Sequence, residues 1–196
     1  MKEFKLHRKD SLIITTIDII DDLGIQGLST REIAKREGIS EATLFRHYKN
    51  KNDLLIAVLD YYARFDEDLS QSVMLKKLDS YSSVQYIIRT TVEYYENYPA
   101  ITSLTQLFDV LRYDEHLTNK VNKILNNRLF FIKKIIDDAK VNNELSEDIN
   151  SDDLVDLIFG IVLETCLKWR MNDRSFSLTE KTMSTLDLIL RAYFKK

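Results

Sequence analysis

The sequence contains one cysteine, one proline, four glycines and three histidines in 196 residues. A single cysteine excludes a disulfide framework and a cysteine-rich metal site, and three histidines argue against a dedicated metal cage, so we predict no cofactor. The scarcity of proline and glycine excludes collagen-like and low-complexity chains. The N-terminal MKEFKLHRKD is polar where a signal peptide is apolar, and no window reaches the ~18 apolar residues of a membrane span. We therefore expect a globular cytoplasmic protein without membrane association.

Charge is unevenly distributed along the chain. The formal net charge is -3, but residues 1–51 hold ten Lys or Arg against eight Asp or Glu, and the rest hold 18 against 23. A basic N-terminal part is compatible with nucleic-acid binding. Solvated helix faces produce differences of this size as well, so the charge alone does not decide the function.

Apolar residues recur at helical spacing over most of the chain, and the alternation typical of strands is absent. Pro99 marks a break, because a residue that precedes proline is disfavoured in the helical region. In the first helix, Ile13, Ile17, Ile20 and Leu23 form the expected apolar stripe. The predicted helices are 9–23, 30–37, 41–47, 51–72, 82–97, 99–113, 115–143, 151–172 and 178–194. We therefore predict an all-α protein of about nine helices.

Residues 24–55 contain three helix starts in close succession. Ser29 followed by Glu32 is a capping box, and Gly38 suits the left-handed residue that ends a helix. Ser40 then caps a second short helix, and Asn50 can cap a long helix that begins near residue 51. Two short helices joined by a turn that contains glycine form a helix-turn-helix, which the preceding helix completes as a three-helix domain.

The same segment resembles the DNA-binding domain of the TetR family of bacterial transcription regulators. The resemblance covers about residues 9–56, and the remainder is similar to the family only in length, helicity and a helical Gly160 segment. It implies a DNA-binding domain at residues 1–51 and a helical ligand-binding and dimerisation domain at residues 52–196. The matching positions are Gly24, Ser29, Thr30, Ile33, Ala34, Gly38 to Ser40, Thr43 to Phe45, His47, Tyr48 and Lys51.

The resemblance assigns roles at the DNA to residues of the two short helices and the start of the next helix. His47 and Lys51 are similar to the family's backbone anchors, while Ala42 and Thr43 lie where base edges are met. The full predicted DNA interface is Ser29, Thr30, Arg31, Ser40, Glu41, Ala42, Thr43, Phe45, Arg46, His47 and Lys51.

Several of these residues have a second, purely structural explanation. Thr30 would contact a phosphate or cap its own helix, and Arg31 would bind DNA or remain solvated. Glu41 would accept a hydrogen bond from cytosine, or it would only interact favourably with the dipole at the start of its helix. Phe45 departs from the family's usual tyrosine, which removes a hydroxyl contact worth about 1 kcal/mol; Arg46 beside it would compensate or remain solvated.

Aromatic residues are concentrated after residue 51, where 16 of the 19 Tyr and Phe residues lie. Aromatic stripes on helices are usually core, but the family that the chain resembles holds a small-molecule pocket in this region, and aromatic walls with a few polar groups suit an apolar or amphipathic ligand. The predicted pocket residues are Tyr62, Phe65, Tyr86, Tyr95, Phe108, Tyr113 and Phe130.

The last two helices are predicted to form a dimer interface, with ordinary packing inside the chain as the alternative. Gly160 would let a second helix approach closely, and a two-fold dimer matches two half-sites of DNA. The predicted interface residues are Leu154, Ile158, Ile161, Thr165, Trp169, Leu186, Ile189, Leu190 and Tyr193.

The combined prediction is a homodimeric regulator, more specifically a repressor, that binds a palindromic double-stranded operator and is released by a small effector. Repression and release are implied only by the resemblance. The main alternative is a co-regulator of the same fold that acts through a protein partner. No GxSxG, GxGxxG, Walker-type or HExxH motif is present, so an enzyme or ligand carrier ranks third.

Overall fold

The computed structural model describes residues 7–195, in which nine α-helices and one 3-10 turn follow each other along the chain. This confirms the predicted all-α fold, with helix boundaries a few residues from the expected ones. No helix in this part of the chain is both long and apolar enough to cross a membrane. The helices are α1 (Arg8–Gly27), α2 (Thr30–Arg36), α3 (Glu41–Phe45), α4 (Lys51–Lys76), α5 (Ser80–Asn97), α6 (Thr102–Leu111), α7 (Thr118–Val141), α8 (Ser151–Met171) and α9 (Leu178–Tyr193), with the 3-10 turn at Pro99–Ile101.

Of the two hydrogen bonds that make up the predicted capping box at the start of α2, the structure contains the one accepted by Ser29. The Ser29 hydroxyl accepts a hydrogen bond from the Glu32 backbone N–H at 3.1 Å. The Glu32 carboxylate accepts from Arg36 Nε at 3.2 Å, which holds it along α2 and away from the start of the helix. Ser29 thus sets the first residue of α2, while Glu32 stabilises the helix through an i,i+4 pair.

The predicted caps of α3 and α4 are both confirmed. The Ser40 hydroxyl accepts from the Thr43 backbone N–H at 3.2 Å, and the Asn50 side-chain oxygen accepts from the Asp53 backbone N–H at 2.8 Å. Between α2 and α3, Gly38 has a φ of 64°, the left-handed conformation that its position predicts. Local chemistry therefore determines where the two short helices and α4 begin.

Helix α1 departs from the prediction near its end. Gly24 has a φ of 69° and interrupts the regular helix, which continues for one further turn to Gly27. Leu23, expected on the buried stripe, is 50% exposed, whereas Ile17 and Ile20 lie in the core. The apolar stripe therefore ends one turn earlier than the sequence indicates.

The described residues form two compact units. The first contains the chain up to Phe65 together with Pro99–Ile124, and the second contains Asp66–Tyr98 together with the chain from Leu125 onward. In the first unit, α1 packs against α2, α6 and the 3-10 turn, with Leu12, Ile17 and Ile19 fully buried. The three-helix domain thus shares a core with a later segment of the chain, which sequence periodicity does not indicate.

In the second unit, α9 packs against both α5 and α8. The Glu96 carboxylate on α5 accepts from the backbone N–H groups of Leu178 and Thr179 at 3.0 and 3.2 Å, so it caps the start of α9. Burial opposes ionisation of Glu96, but the hydrogen bonds from Thr179, Ser177 and Leu178 outweigh it and lower its pKa. This side chain joins two helices that lie 82 residues apart in the sequence.

A second carboxylate ties α2 to α1 in the first unit. Glu37, just after α2, accepts hydrogen bonds from Ser11 at 2.7 Å and Thr15 at 2.5 Å, and it pairs with Arg8 at 3.0 Å. Burial would raise the pKa of Glu37, but the bonds from Thr15, Ser11 and Arg8 together lower it. Its ionised form is therefore favoured by folding.

We predict that Glu37→Gln lowers the free energy of unfolding at pH 7 by about 1 to 3 kcal/mol, because a charged acceptor of several hydrogen bonds is lost. A carboxylate with a depressed folded pKa contributes stability above its unfolded pKa, near 4.5, and loses it as the pH falls through the folded value. The difference between the variant and the wild type should thus vanish in acid. Urea unfolding between pH 7 and pH 3 measures it. The exposed Glu147→Gln is the control, and an equal loss in both variants at pH 7 would contradict the assignment.

Candidate nucleic-acid interface

Helix α3 presents one side to the core and the others to solvent. Leu44 is its single buried residue, whereas Glu41, Ala42 and Arg46 are exposed. Phe45 is 44% exposed and lies beside these exposed residues. A short helix with a buried anchor and an exposed mixed face is the arrangement that enters a major groove.

The structure brings Thr30 and Glu41 together, although they are eleven residues apart. Thr30 begins α2 and Glu41 begins α3, and the Thr30 hydroxyl donates to the Glu41 carboxylate at 2.6 Å. The cap of α2 is Ser29, so Thr30 does not cap its own helix. Of the two roles expected for Thr30, capping is therefore wrong.

A second polar cluster involves Ser40, Thr43 and Arg46. The hydroxyls of Ser40 and Thr43 are 3.0 Å apart, and Arg46 Nη2 donates to the Thr43 hydroxyl at 3.0 Å. Arg46 is thus held along α3, and the Thr43 hydroxyl is engaged within the helix. The methyl group of Thr43 remains the part suited to a thymine methyl.

The two predicted backbone anchors follow α3 in the chain. His47 is half-buried, and the Lys51 ammonium donates to the backbone carbonyl of Leu28 at 2.8 Å. Arg31 is exposed on α2. Lys49, which is not among the predicted residues, is also exposed and lies in the turn between α3 and α4. None of the predicted DNA residues lies buried in the core.

The predicted pocket residues are divided between the two units, and two of them are exposed. In the first unit, the rings of Tyr62 and Phe108 pack edge-to-face with centroids 5.8 Å apart. Tyr113 is 76% exposed in that unit and Phe130 is 70% exposed in the second unit, which does not fit the enclosed lining expected of them. The helical spacing of Tyr113 and Phe130 predicted apolar helix faces, but it did not determine whether those faces are buried.

The remaining predicted pocket residues differ in burial. Phe65 is half-buried in the first unit. In the second unit, Tyr95 is buried and packs beside Tyr94, while Tyr86 is half-buried with the Lys76 ammonium 4.9 Å from its ring. Together with Tyr62, Tyr95 is among the largest fully buried side chains of the described residues.

Most of the predicted dimer-interface residues pack inside their own chain. Trp169, for example, is buried and donates from its indole N–H to the Phe176 carbonyl at 2.9 Å. Ile161 and Ile189 are half-buried and Tyr193 is exposed. The stripe chosen from the sequence is mostly the one that faces the core, so the structure corrects this assignment for Leu154, Ile158, Trp169, Leu186 and Leu190. Thr165 is also buried, but it lines the groove described next.

The adjacent side of the same two helices forms an open groove of about 1260 Å³. Its lining includes the apolar Leu157, Ile161 and Ile189 together with charged residues of both signs. At Gly160 a Cβ atom would meet nothing within 4 Å, so the space above the glycine is open. No group of His, Cys, Asp and Glu among residues 7–195 is arranged to hold a metal ion.

Two family models match the chain. Residues 13–58 match a family described as bacterial regulatory proteins of the tetR family, and residues 62–192 match a family described as the C-terminal region of YsiA-like proteins. The second match alone covers more than half of the 196 residues.

Individual relatives extend over nearly the whole chain. The fatty acid metabolism regulator protein of Bacillus subtilis is 24% identical over 190 residues, which cover 94% of this chain and 95% of the relative. The structure of a transcriptional regulator FadR from Bacillus subtilis in complex with stearoyl-CoA covers 92% of this chain and 97% of its own, with 24% identity and a TM-score of 0.81. The ketosteroid transcriptional regulator KstR2 of Mycobacterium tuberculosis has a TM-score of 0.83 at 13% identity, with 98% and 97% covered. At these identities the solved structures establish the fold.

The Lys51 side chain provides a test of the candidate interface. We predict that Lys51→Ala weakens binding to all DNA duplexes alike and lowers the slope of log affinity against log salt by about 1, because one phosphate contact is lost. Fluorescence anisotropy over a salt series measures both quantities. Lys134→Ala, which removes an exposed lysine from α7, is the control. Weaker binding with an unchanged salt slope would indicate that Lys51 acts through the Leu28 carbonyl and not through a phosphate.

Proposed function

This chain belongs to the TetR family of bacterial regulatory proteins, and on that premise we propose that it represses transcription from a palindromic operator, bound as a homodimer, until an amphipathic effector releases it. Members of this family are DNA-binding transcription regulators and not enzymes. They bind small-molecule effectors and typically act as dimers. The proposal assigns DNA binding to residues 1–51, and effector binding and association to residues 52–196. It places the protein in the cytoplasm, where it meets chromosomal DNA.

The observation that carries the proposal is the exposed face of α3. Leu44 anchors the helix while Glu41, Ala42, Phe45 and Arg46 remain exposed, as a helix that reads a major groove requires. Thr43 supplies a methyl group beside them. Apart from Thr30, whose hydroxyl donates to Glu41 within the protein, the DNA interface proposed from the sequence keeps its members as candidate contacts, with Lys49 added as a further backbone contact.

The groove between α8 and α9 is the surface that we assign to the second copy. Its mixture of apolar residues and charges of both signs suits a two-fold interface, where each patch meets its own image. The half-buried Ile161 and Ile189 of the predicted interface line it, together with Leu157 and with Gly160, where the sequence analysis expected a second helix to approach. Dimer formation matters for function because a single domain of this size contacts too few bases to select an operator.

The effector that we propose carries a long acyl chain on a polar head, such as a fatty acyl thioester. The relative from Bacillus subtilis is named a fatty acid metabolism regulator, and a solved neighbour holds stearoyl-CoA. An effector of this kind also agrees with the apolar or amphipathic ligand expected from the aromatic content. Our candidates for residues that contact it are Tyr62, Phe65 and Phe108, which lie together in the first unit.

We predict that Gly160→Arg converts the dimer to a monomer, because a long charged side chain would occupy the space that a second copy needs. The change should leave the fold intact, since the position is open within the chain and arginine favours helix more than glycine does. Analytical ultracentrifugation measures the oligomeric state, and circular dichroism checks the fold. Gly160→Ala, which adds only a methyl group, is the control and should stay dimeric. A Gly160→Arg dimer of wild-type affinity would exclude this groove as the interface.

Effector binding and DNA binding must be linked if the protein is a ligand-released repressor. We predict that stearoyl-CoA lowers operator affinity, and that operator DNA lowers stearoyl-CoA affinity by the same factor, about 5- to 150-fold, since coupling between two sites is reciprocal. Operator fragments selected from genomic DNA by the purified protein supply the duplex. Titrations with acyl-CoA of 4, 12 and 18 carbons test the chain requirement, and free CoA is the control.

The possible outcomes of these experiments separate the alternatives. Equal effector affinity with and without operator would leave a DNA-binding protein that is not switched by acyl-CoA. If the protein selects no genomic fragment even at low salt, DNA binding fails and the alternative of a co-regulator that acts through a protein partner gains support.

A further inference from the structure

The first turn of α3 contains one side chain whose polar atoms face outward and remain available for a base. Ala42 has no polar side-chain atom, and the Thr43 hydroxyl is engaged by Ser40 and Arg46. Glu41 is exposed and has two carboxylate oxygens, of which Oε2 accepts from Thr30. The Oε1 atom and the second lone pair of Oε2 can accept hydrogen bonds from a donor on a bound partner.

The Thr30 hydroxyl has one hydrogen to donate, and it donates that hydrogen to Glu41. The same hydroxyl would have to release the carboxylate in order to donate to a phosphate. A phosphate at that place would also bring its negative charge beside the Glu41 carboxylate, which is unfavourable. The contact at 2.6 Å therefore argues against a phosphate as the partner of Thr30.

We propose that Thr30 is a positioning residue which orients the Glu41 carboxylate so that it selects cytosine at one position of each half-site. This inference deepens the proposed function and rests on it. Thr30 thereby acquires a role that neither capping nor phosphate contact describes.

The chemistry of the major groove supports cytosine as the selected base. A carboxylate only accepts hydrogen bonds, and cytosine presents the N4 amino group as a donor. Guanine and thymine present acceptors there, which repel a carboxylate. Adenine presents a donor beside the N7 acceptor, so it suits a carboxylate less well than cytosine and suits a carboxamide better.

The hydrogen bond from Thr30 restricts how the Glu41 side chain can turn. Glutamate is a flexible side chain, and an exposed one pays conformational entropy when it is fixed on a base. The hydrogen bond from Thr30 on α2 removes part of this conformational freedom before DNA binds. The expected result is discrimination between bases, with little change in general affinity for DNA.

The test is selection of DNA sequences from a library in which the half-sites of a genomic operator are randomised. Wild-type protein should enrich cytosine over guanine at one position of each half-site by about tenfold, the scale of one good base contact. Thr30→Val, which keeps the shape but removes the hydroxyl, should reduce this preference several-fold while leaving affinity for unrelated DNA unchanged. Thr30→Ser should restore it, and Glu41→Gln should move the preference toward adenine.

Fold integrity is checked by thermal unfolding, since Thr30→Val leaves the Ser29 cap of α2 in place. If Thr30→Val weakens binding to all sequences alike, Thr30 contacts a phosphate and the proposal is overturned. An unchanged base profile in Glu41→Gln overturns it as well. Selection of an operator without this cytosine preference refutes the inference alone, whereas a wild-type protein that selects no sequence at all refutes the proposed function too.

Discussion

A helix of five residues forms too few internal hydrogen bonds to be stable by itself, and the candidate DNA-binding surface depends on how α3 is held. Leu44 supplies its only buried side chain, and the Leu44 carbonyl accepts from the backbone N–H groups of His47 and Tyr48 at 2.9 and 3.1 Å. Tyr48 is itself buried, and its hydroxyl donates to the Lys9 carbonyl on α1 at 3.3 Å. The exposed face of α3 is thus oriented by residues on its hidden side.

Both short helices are tied to α1. Glu37 joins the end of α2 to Ser11 and Thr15, and Tyr48 joins the end of α3 to Lys9. Helix α1 also packs against α6 and the 3-10 turn within the first unit. A displacement of α6 would therefore move the two short helices through α1, and not only through α4.

A second contact within the first unit supports the same route. Asn52, in the first turn of α4, donates to the Asp114 carboxylate in the turn after α6 at 3.3 Å. Phe108, one of the proposed effector residues, lies on α6 and packs against Tyr62 of α4. An effector that moves either ring would thus act on a segment that already contacts the start of α4, where Lys51 lies.

The sequence predicted well those features that depend on local chemistry. Ser29, Ser40 and Asn50 cap the helices expected of them because a cap requires only neighbouring backbone groups, and Gly38 turns as its lack of a side chain allows. Ser29, Gly38 and Ser40 also carried the resemblance to the family.

Features that depend on which surfaces meet could not be predicted in the same way. Leu154, Ile158 and Trp169 recur at helical spacing whether they face their own chain or a second one, and the spacing cannot distinguish the two. Tyr113 and Phe130 show the same ambiguity in the opposite direction, since they are exposed where burial was expected. The contact between Thr30 and Glu41 joins two helices and depends on the geometry of the turn between them.

The charge of the DNA-binding segment limits how this protein can obtain specificity. Residues 1–51 have an excess of only two basic side chains, and Lys51 and Arg46 are each engaged by a neighbour within the chain. Non-specific affinity rises with the number of phosphates neutralised, so it should be modest in a segment with so small an excess of positive charge. A carboxylate on the reading face lowers it further. Under the proposed function, specific binding must then draw its free energy from base contacts and from two copies acting together, so the proposed roles of α3 and of the α8–α9 groove depend on each other.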